Sequence, residues 1–142
     1  MKIYLISKLI LSSANLKYLV SLSRDSYPKE CCALLLGETK AGNTIESTVT
    51  DAISVRNMDH SSVSFSVEPD ELLNVYRLAE ARNLQVVGIF HSHPSQPIPS
   101  GTDRVYMKIN PVAWLIYSTT TEKMGAFIFE DGLKEVDVQV TA

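Results

Sequence analysis

Short apolar runs alternate along the chain with segments whose apolar residues recur at helical spacing. Residues 2–11 read as a first strand rather than a signal peptide, because Lys8 interrupts the run and no clear small-residue cleavage site follows. Ser12 or Ser13 can cap a helix to about Ser26, with Leu16, Leu19, Val20 and Tyr27 on one face and Pro28 closing it. Residues 31–37, from Cys31 to Gly37, are continuously apolar, the pattern of a strand buried on both faces. Lys40-Ala41-Gly42-Asn43 supplies turn chemistry, and residues 44–54, rich in Thr, Val and Ile, return as the partner strand.

Residues 57–66 are polar and read as a loop. Pro69, followed by Asp70 and Glu71, opens a second helix with Leu72, Leu73, Val75, Tyr76 and Ala79 as its apolar face, fraying near Asn83. Gln85 to Phe90 reads as a buried strand, and the proline-rich stretch 94–101 cannot continue it. A short helix is predicted from about Thr102 to Ile109, and three strands over 112–118, 125–130 and 133–140. Residues 120–123 and Asp131-Gly132 form their turns, the latter a strong hairpin signal. These elements sum to one α/β domain spanning 1–142, a mixed β-sheet flanked by two main helices.

Composition narrows the field. The chain has 142 residues, enough to bury a core, with 45% hydrophobic and 20% charged residues. Its net charge of −3, without a Lys/Arg cluster, gives no electrostatic support for nucleic acid or an anionic membrane as partner. No apolar stretch is long enough to be a membrane span. The cysteines, Cys31 and Cys32, are neighbours, and adjacent Cα atoms lie about 3.8 Å apart, closer than disulfide geometry normally allows. Two buried free thiols imply a reducing, cytoplasmic compartment.

The candidate chemistry lies in His91-Ser92-His93-Pro94 and the Ser100 and Asp103 that follow. Alternate residues of a strand point to one side, so both imidazoles leave the strand end together. A carboxylate ten residues on, returning from a stiff loop, completes the layout of a three-ligand zinc site with one open position. Asp103 is equally at home as an acid in a helix's first turn, which is compatible with ligation. Other signatures are missing: His-Glu-x-x-His, the Pro-Cys-x-x-Cys of zinc deaminases, and the Gly-x-Ser-x-Gly elbow that Ser92 or Ser100 would need as a nucleophile. His60 has no ligand partner at useful spacing and reads as a surface residue, while Trp114, Leu35 and Leu36 read as core.

With Glu30 added, the pattern resembles the JAMM (MPN+) metalloproteases: a glutamate, then far downstream His-x-His-Pro, a loop, and Ser-x-x-Asp. The stretches Tyr27 to Gly37 and Val86 to Phe90 resemble the family's segments around the glutamate and before the histidines. There are two departures. Six residues separate His93 from Ser100 where the family usually has seven, and Ala33 stands where a glycine is common.

The resemblance implies a single MPN-type domain of cytidine-deaminase-like architecture, with one Zn2+ per chain held by His91, His93 and Asp103. It implies that Glu30 is the general acid/base for a zinc-activated water, and that Ser100 hydrogen-bonds the oxyanion. The implied substrates are conjugates of ubiquitin or a ubiquitin-like modifier, cut after the modifier's C-terminal glycine, its extended tail pairing with a strand edge beside the zinc. The short chain points to a compact prokaryotic type similar to archaeal relatives of the proteasome-lid deubiquitinase, with a proteasome-linked partner. Two alternatives are a peptidase releasing an amino acid from a sulfur-carrier protein and a non-catalytic MPN scaffold.

Overall fold

A computed structural model of the chain describes residues 6–58 and 67–142. The N-terminal strand is β1 (Ile6–Ser12), followed by helix α1 (Ser13–Ser26). Ser12 is the cap: its extended backbone leads into the helix and its hydroxyl accepts the Asn15 amide N–H at 3.1 Å. Strands β2 (Cys32–Ala41) and β3 (Ile45–Val55) make a long hairpin. Helix α2 (Pro69–Ala81) follows, its first amides bonded by the Glu68 carboxylate, and Asn83 ends the segment in the left-handed region at φ 56°. Then come β4 (Gln85–His93), α3 (Gly101–Ile109), β5 (Ala113–Ser118), β6 (Met124–Phe129) and β7 (Leu133–Thr141). The β6–β7 turn uses Asp131 and Gly132 at φ 52° and 110°, as an Asp-Gly hairpin requires.

The strands form a closed barrel in the order β1-β3-β2-β4-β5-β6-β7. β1 runs parallel to both β3 and β7, β4 runs parallel to β5, and the other pairs are antiparallel. The expected mixed sheet and the short helix α3 are present, but the sheet closes into a barrel in place of a sheet flanked by two main helices. Alternation along a strand tells which side chains are buried, not which strands pair. The closing register, Lys8 with Asp137 and Ser12 with Thr141, joins the two ends of the chain and leaves no local signal. Closure also gives every named strand two strand neighbours among the described residues.

One face of the strands carries Leu9, Leu11, Leu35, Phe90 and Leu115, packed with Leu19 of α1. On the opposite face Cys32, Leu34 and Leu36 meet Val75 and Ala79 of α2, and Trp114, Ile116 and Phe127 meet Met107 of α3. This double burial explains the unbroken apolar run at residues 31–37. Three expected core residues lie outside it. Tyr27 is 58% exposed because it turns out of α1 at ψ 135°, and Leu73 and Tyr76 are 46% and 48% exposed. In α2 the buried stripe runs through Val75 and Ala79 with Leu72 and Leu78 beside it, leaving Leu73 and Tyr76 on the neighbouring stripe. Both cysteines are free and buried. The polar loop is described only at its ends, where Asn57 bridges Val67, and His60 lies outside the described residues. No helix among the described residues is long and apolar enough to cross a membrane.

A bulge between Leu36 and Gly37 lets β2 follow the barrel's curvature. A Cβ at Gly37 would sit 1.8 Å from the Thr48 carbonyl oxygen. Gly37→Ala should therefore lower stability by at least about 2 kcal/mol, measured as a lower urea midpoint; an unchanged midpoint would show that the hairpin can shift to admit the methyl group.

Candidate metal centre

His91 and His93 are the third-last and last residues of β4, on the face that carries Ile89 and is covered by α2 and α3. β4 is clamped on both sides: Cys32 of β2 pairs with His91, and Ser118 of β5 pairs with His93. Thr119 extends the clamp, its amide and hydroxyl donating to the His93 carbonyl at 2.9 and 3.2 Å. The Thr120 hydroxyl donates to the Pro94 carbonyl at 2.8 Å. The proline-rich loop passes close over β6, where a Cβ at Gly125 would lie 3.0 Å from the Pro97 carbonyl oxygen.

Ser100 then caps α3 through a reciprocal box. Its hydroxyl accepts the Asp103 amide N–H at 3.1 Å, and its own amide donates to Asp103 Oδ2 at 2.9 Å. The cap fixes the carboxylate's direction and turns it onto the histidines. His91 Nε2 lies 2.8 Å from His93 Nε2, and Asp103 Oδ2 lies 3.2 Å from the former and 3.1 Å from the latter. Donor atoms about 2.0–2.1 Å from a tetrahedral zinc lie about 3.3 Å from one another. The triangle is thus the size a metal needs, and all three side chains are buried.

Glu30 stands beside this triangle. It follows Pro28 and Lys29 and precedes β2, is 3% exposed, and places Oε1 3.9 Å from His93 Nε2. The donor atoms of Glu30, His91 and His93 lie within 4.8 Å of one another, and this buried group could hold a metal. Asp103, at hydrogen-bond distance from both imidazoles, closes the tighter set, which leaves Glu30 as the adjacent carboxyl. Neither thiol joins the group. Cys31 Sγ faces Ser23 Oγ at 3.5 Å, and Cys32 packs with Leu34 and Val75.

The electrostatics of His91 and Asp103 suit a metal. Burial lowers the pKa of His91, favouring the neutral ring. Burial also disfavours charge on Asp103, but bonds from His91 and His93, the His91 charge and the Ser100 amide outweigh it and hold the carboxyl well below the usual range. A neutral imidazole and an ionised carboxylate are the protonation states that ligate. For His93, burial opposes protonation, while the Asp103 bond and charge, Glu30 and the Gln96 carbonyl raise its pKa overall. The His93 Nδ1–Gln96 oxygen distance of 3.3 Å lets Nδ1–H donate outward and turns the Nε2 lone pair inward. The His91 ring meets Trp114 edge-on at 5.7 Å, and Trp114 Nε1–H donates to the Asn110 carbonyl at 3.2 Å. Glu30 is pushed up to about 7, chiefly by burial, with His93 lowering and Asp103 raising it.

All five residues singled out from the sequence therefore meet. Glu30, His93 and Ser100 line one cleft, walled by Pro94, Gln96 and Ile98, and His91 and Asp103 lie behind it. Sequence reasoning missed the partners around them. Trp114, read simply as core, also buttresses His91. Asn57 Nδ2 donates to the Glu30 carbonyl at 2.9 Å, and nothing in the surrounding polar loop marks it. Ser92 is buried beside Cys31, a position that strand alternation alone could have placed opposite the histidines.

Residues 12–129 match the family of prokaryotic homologs of the JAB domain. A desampylase from Pyrococcus furiosus is 39% identical over 112 residues, spanning 78% of this chain and 74% of that protein. A desampylase from Haloferax volcanii is 37% identical over 79 residues, 54% of this chain and 53% of its own length. Among solved structures, a protein from Desulfitobacterium hafniense superposes with a TM-score of 0.79 at 27% identity, covering 94% of this chain and 92% of its own. One from Salinibacter ruber shares the fold with a TM-score of 0.69 at 24% identity, covering 92% of this chain and 90% of its own. With the buried His-His-carboxylate group, these similarities establish that the chain belongs to the JAMM/MPN metalloprotease family in its compact prokaryotic form, and that it is a hydrolytic enzyme.

Proposed function

We propose that this protein is a zinc-dependent isopeptidase that hydrolyses the bond following the C-terminal glycine of a ubiquitin-like modifier. The observation that carries the reading is the buried triangle of His91 Nε2, His93 Nε2 and Asp103 Oδ2 with the Glu30 carboxyl at its side. The donor set, two imidazoles and a carboxylate without thiolate, fits a catalytic zinc site with an open position. Zinc held by these three residues would acidify a bound water and polarise the scissile carbonyl.

The chain's own groups then divide the work. Glu30, with a carboxyl raised to about 7, takes the water's proton as the C–O bond forms and returns it to the leaving amine as the C–N bond breaks. Its burial keeps bulk water from competing for that proton. Ser100 lines the same cleft. Its oxygen accepts the Asp103 amide, which leaves the hydroxyl hydrogen available for the carbonyl oxygen as charge builds on it. Pro94, Gln96 and Ile98 form the wall against which the substrate backbone would lie. The similarity to two proteins named desampylase supports a modifier conjugate as substrate.

The substrate assignment is tested by incubating the protein with the ubiquitin-like proteins of its source genome, each fused through its terminal glycine to a reporter. Mass spectrometry should show cleavage after that glycine for at least one; intact fusions throughout would refute the assignment. Metal analysis should give about one zinc per chain, with hydrolysis lost on chelation and recovered on adding Zn2+; a zinc content near zero would sink the metalloenzyme reading. Glu30→Gln should retain zinc and lower kcat by ~10²–10⁴-fold, since it removes the proton shuttle without removing a ligand of the triangle. Ser100→Ala should lower kcat by roughly 10²-fold with little change in KM, and an unchanged kcat would mean that another donor meets the oxyanion.

A further inference from the structure

We infer that Ser92, the residue between the two histidines, is a positioning residue for Glu30. The inference rests on the acid/base role proposed for that glutamate. Ser92 points to the face of β4 opposite the imidazoles and is 1% exposed. Its hydroxyl accepts the Cys31 amide N–H at 3.0 Å, and its own amide donates to the Cys31 carbonyl at 3.2 Å. The regular β2–β4 ladder begins one residue later, at Cys32 with His91. The Cys31 amide lies beyond that ladder, in a residue only 5% exposed, and the Ser92 side chain supplies its acceptor.

The consequence falls on the carboxyl next door. Glu30 Oε1 is buried and makes no hydrogen bond among the described residues, so its place is set largely by its backbone. That backbone is pinned by Asn57 at the Glu30 carbonyl and by Ser92 at both polar groups of Cys31. One side chain thereby couples the strand bearing two metal ligands to the residue bearing the proton shuttle. The role needs a short oxygen acceptor facing the core. Threonine retains one, cysteine keeps the volume with only a weak acceptor, and alanine has none.

The test compares Ser92→Ala, Ser92→Cys and Ser92→Thr, each alone and in a Glu30→Gln background, using whichever modifier fusion the wild type cleaves. Zinc content and Cys31 amide exchange by NMR are read alongside kcat and KM. Ser92→Ala should keep its zinc and its KM, exchange the Cys31 amide faster, and lose roughly 10–100-fold in kcat. Ser92→Thr should restore kcat and amide protection. In the Glu30→Gln background, Ser92→Ala should cost nothing further, because the group it positions is already disabled. Should the alanine variant not fold, Ser92→Cys should show the same signature. An unchanged kcat, loss of zinc, failure of threonine to rescue, or losses that multiply in the double variant would each overturn the inference. Wild-type turnover by Glu30→Gln alone would instead sink the functional reading, whereas an inactive Glu30→Gln with a fully active Ser92→Ala would sink only this one.

Discussion

Three buried polar atoms within 3.2 Å of one another, His91 Nε2, His93 Nε2 and Asp103 Oδ2, are the constraint on which the rest of this structure depends. Burial deprives the two imidazoles and the carboxylate of water, so their polar atoms must be satisfied within the group, by a shared proton or by a cation. A fold can hold such a group together only by fixing each member independently. Here that is done by a central strand clamped on both sides, a tethered loop and a helix cap. These three supports place the donor atoms of His91, His93 and Asp103 together at one end of the barrel.

The helix cap carries more of this than its size implies. Ser100 and Asp103 satisfy each other's backbone amides, so the geometry that starts α3 is also the geometry that aims Oδ2 at the histidines. This is why a loop one residue shorter than the family's usual pattern still delivers both residues: their mutual arrangement is set inside the first turn of the helix. The loop itself lies close over Gly125.

Much of the site was legible in the sequence because it obeys short-range rules. The i, i+2 spacing of His91 and His93 fixes their common face, and the Ser-x-x-Asp pattern is a capping signature as well as a chemical one. The element order was equally readable from capping, proline and Asp-Gly signals. The contacts between distant segments were not. Pairing of β1 with β7 closes the barrel, and Asn57 reaches back to Glu30 across 27 residues, and neither leaves a periodic trace. Leu73 and Tyr76 misled for a related reason: a helix can carry two adjacent apolar stripes, and only the neighbouring elements decide which one is buried. Trp114 belongs to the core, as its residue type predicts, and its ring also meets His91 edge-on.

The central claim is that this chain binds zinc through two imidazoles and a carboxylate and without its cysteines. X-ray absorption at the zinc edge of the purified protein tests it most directly. The expected spectrum has nitrogen and oxygen neighbours at about 2.0–2.1 Å, the multiple-scattering signature of two imidazoles, and no sulfur shell. A sulfur shell near ~2.3 Å, or the scattering of fewer than two imidazoles, would contradict it.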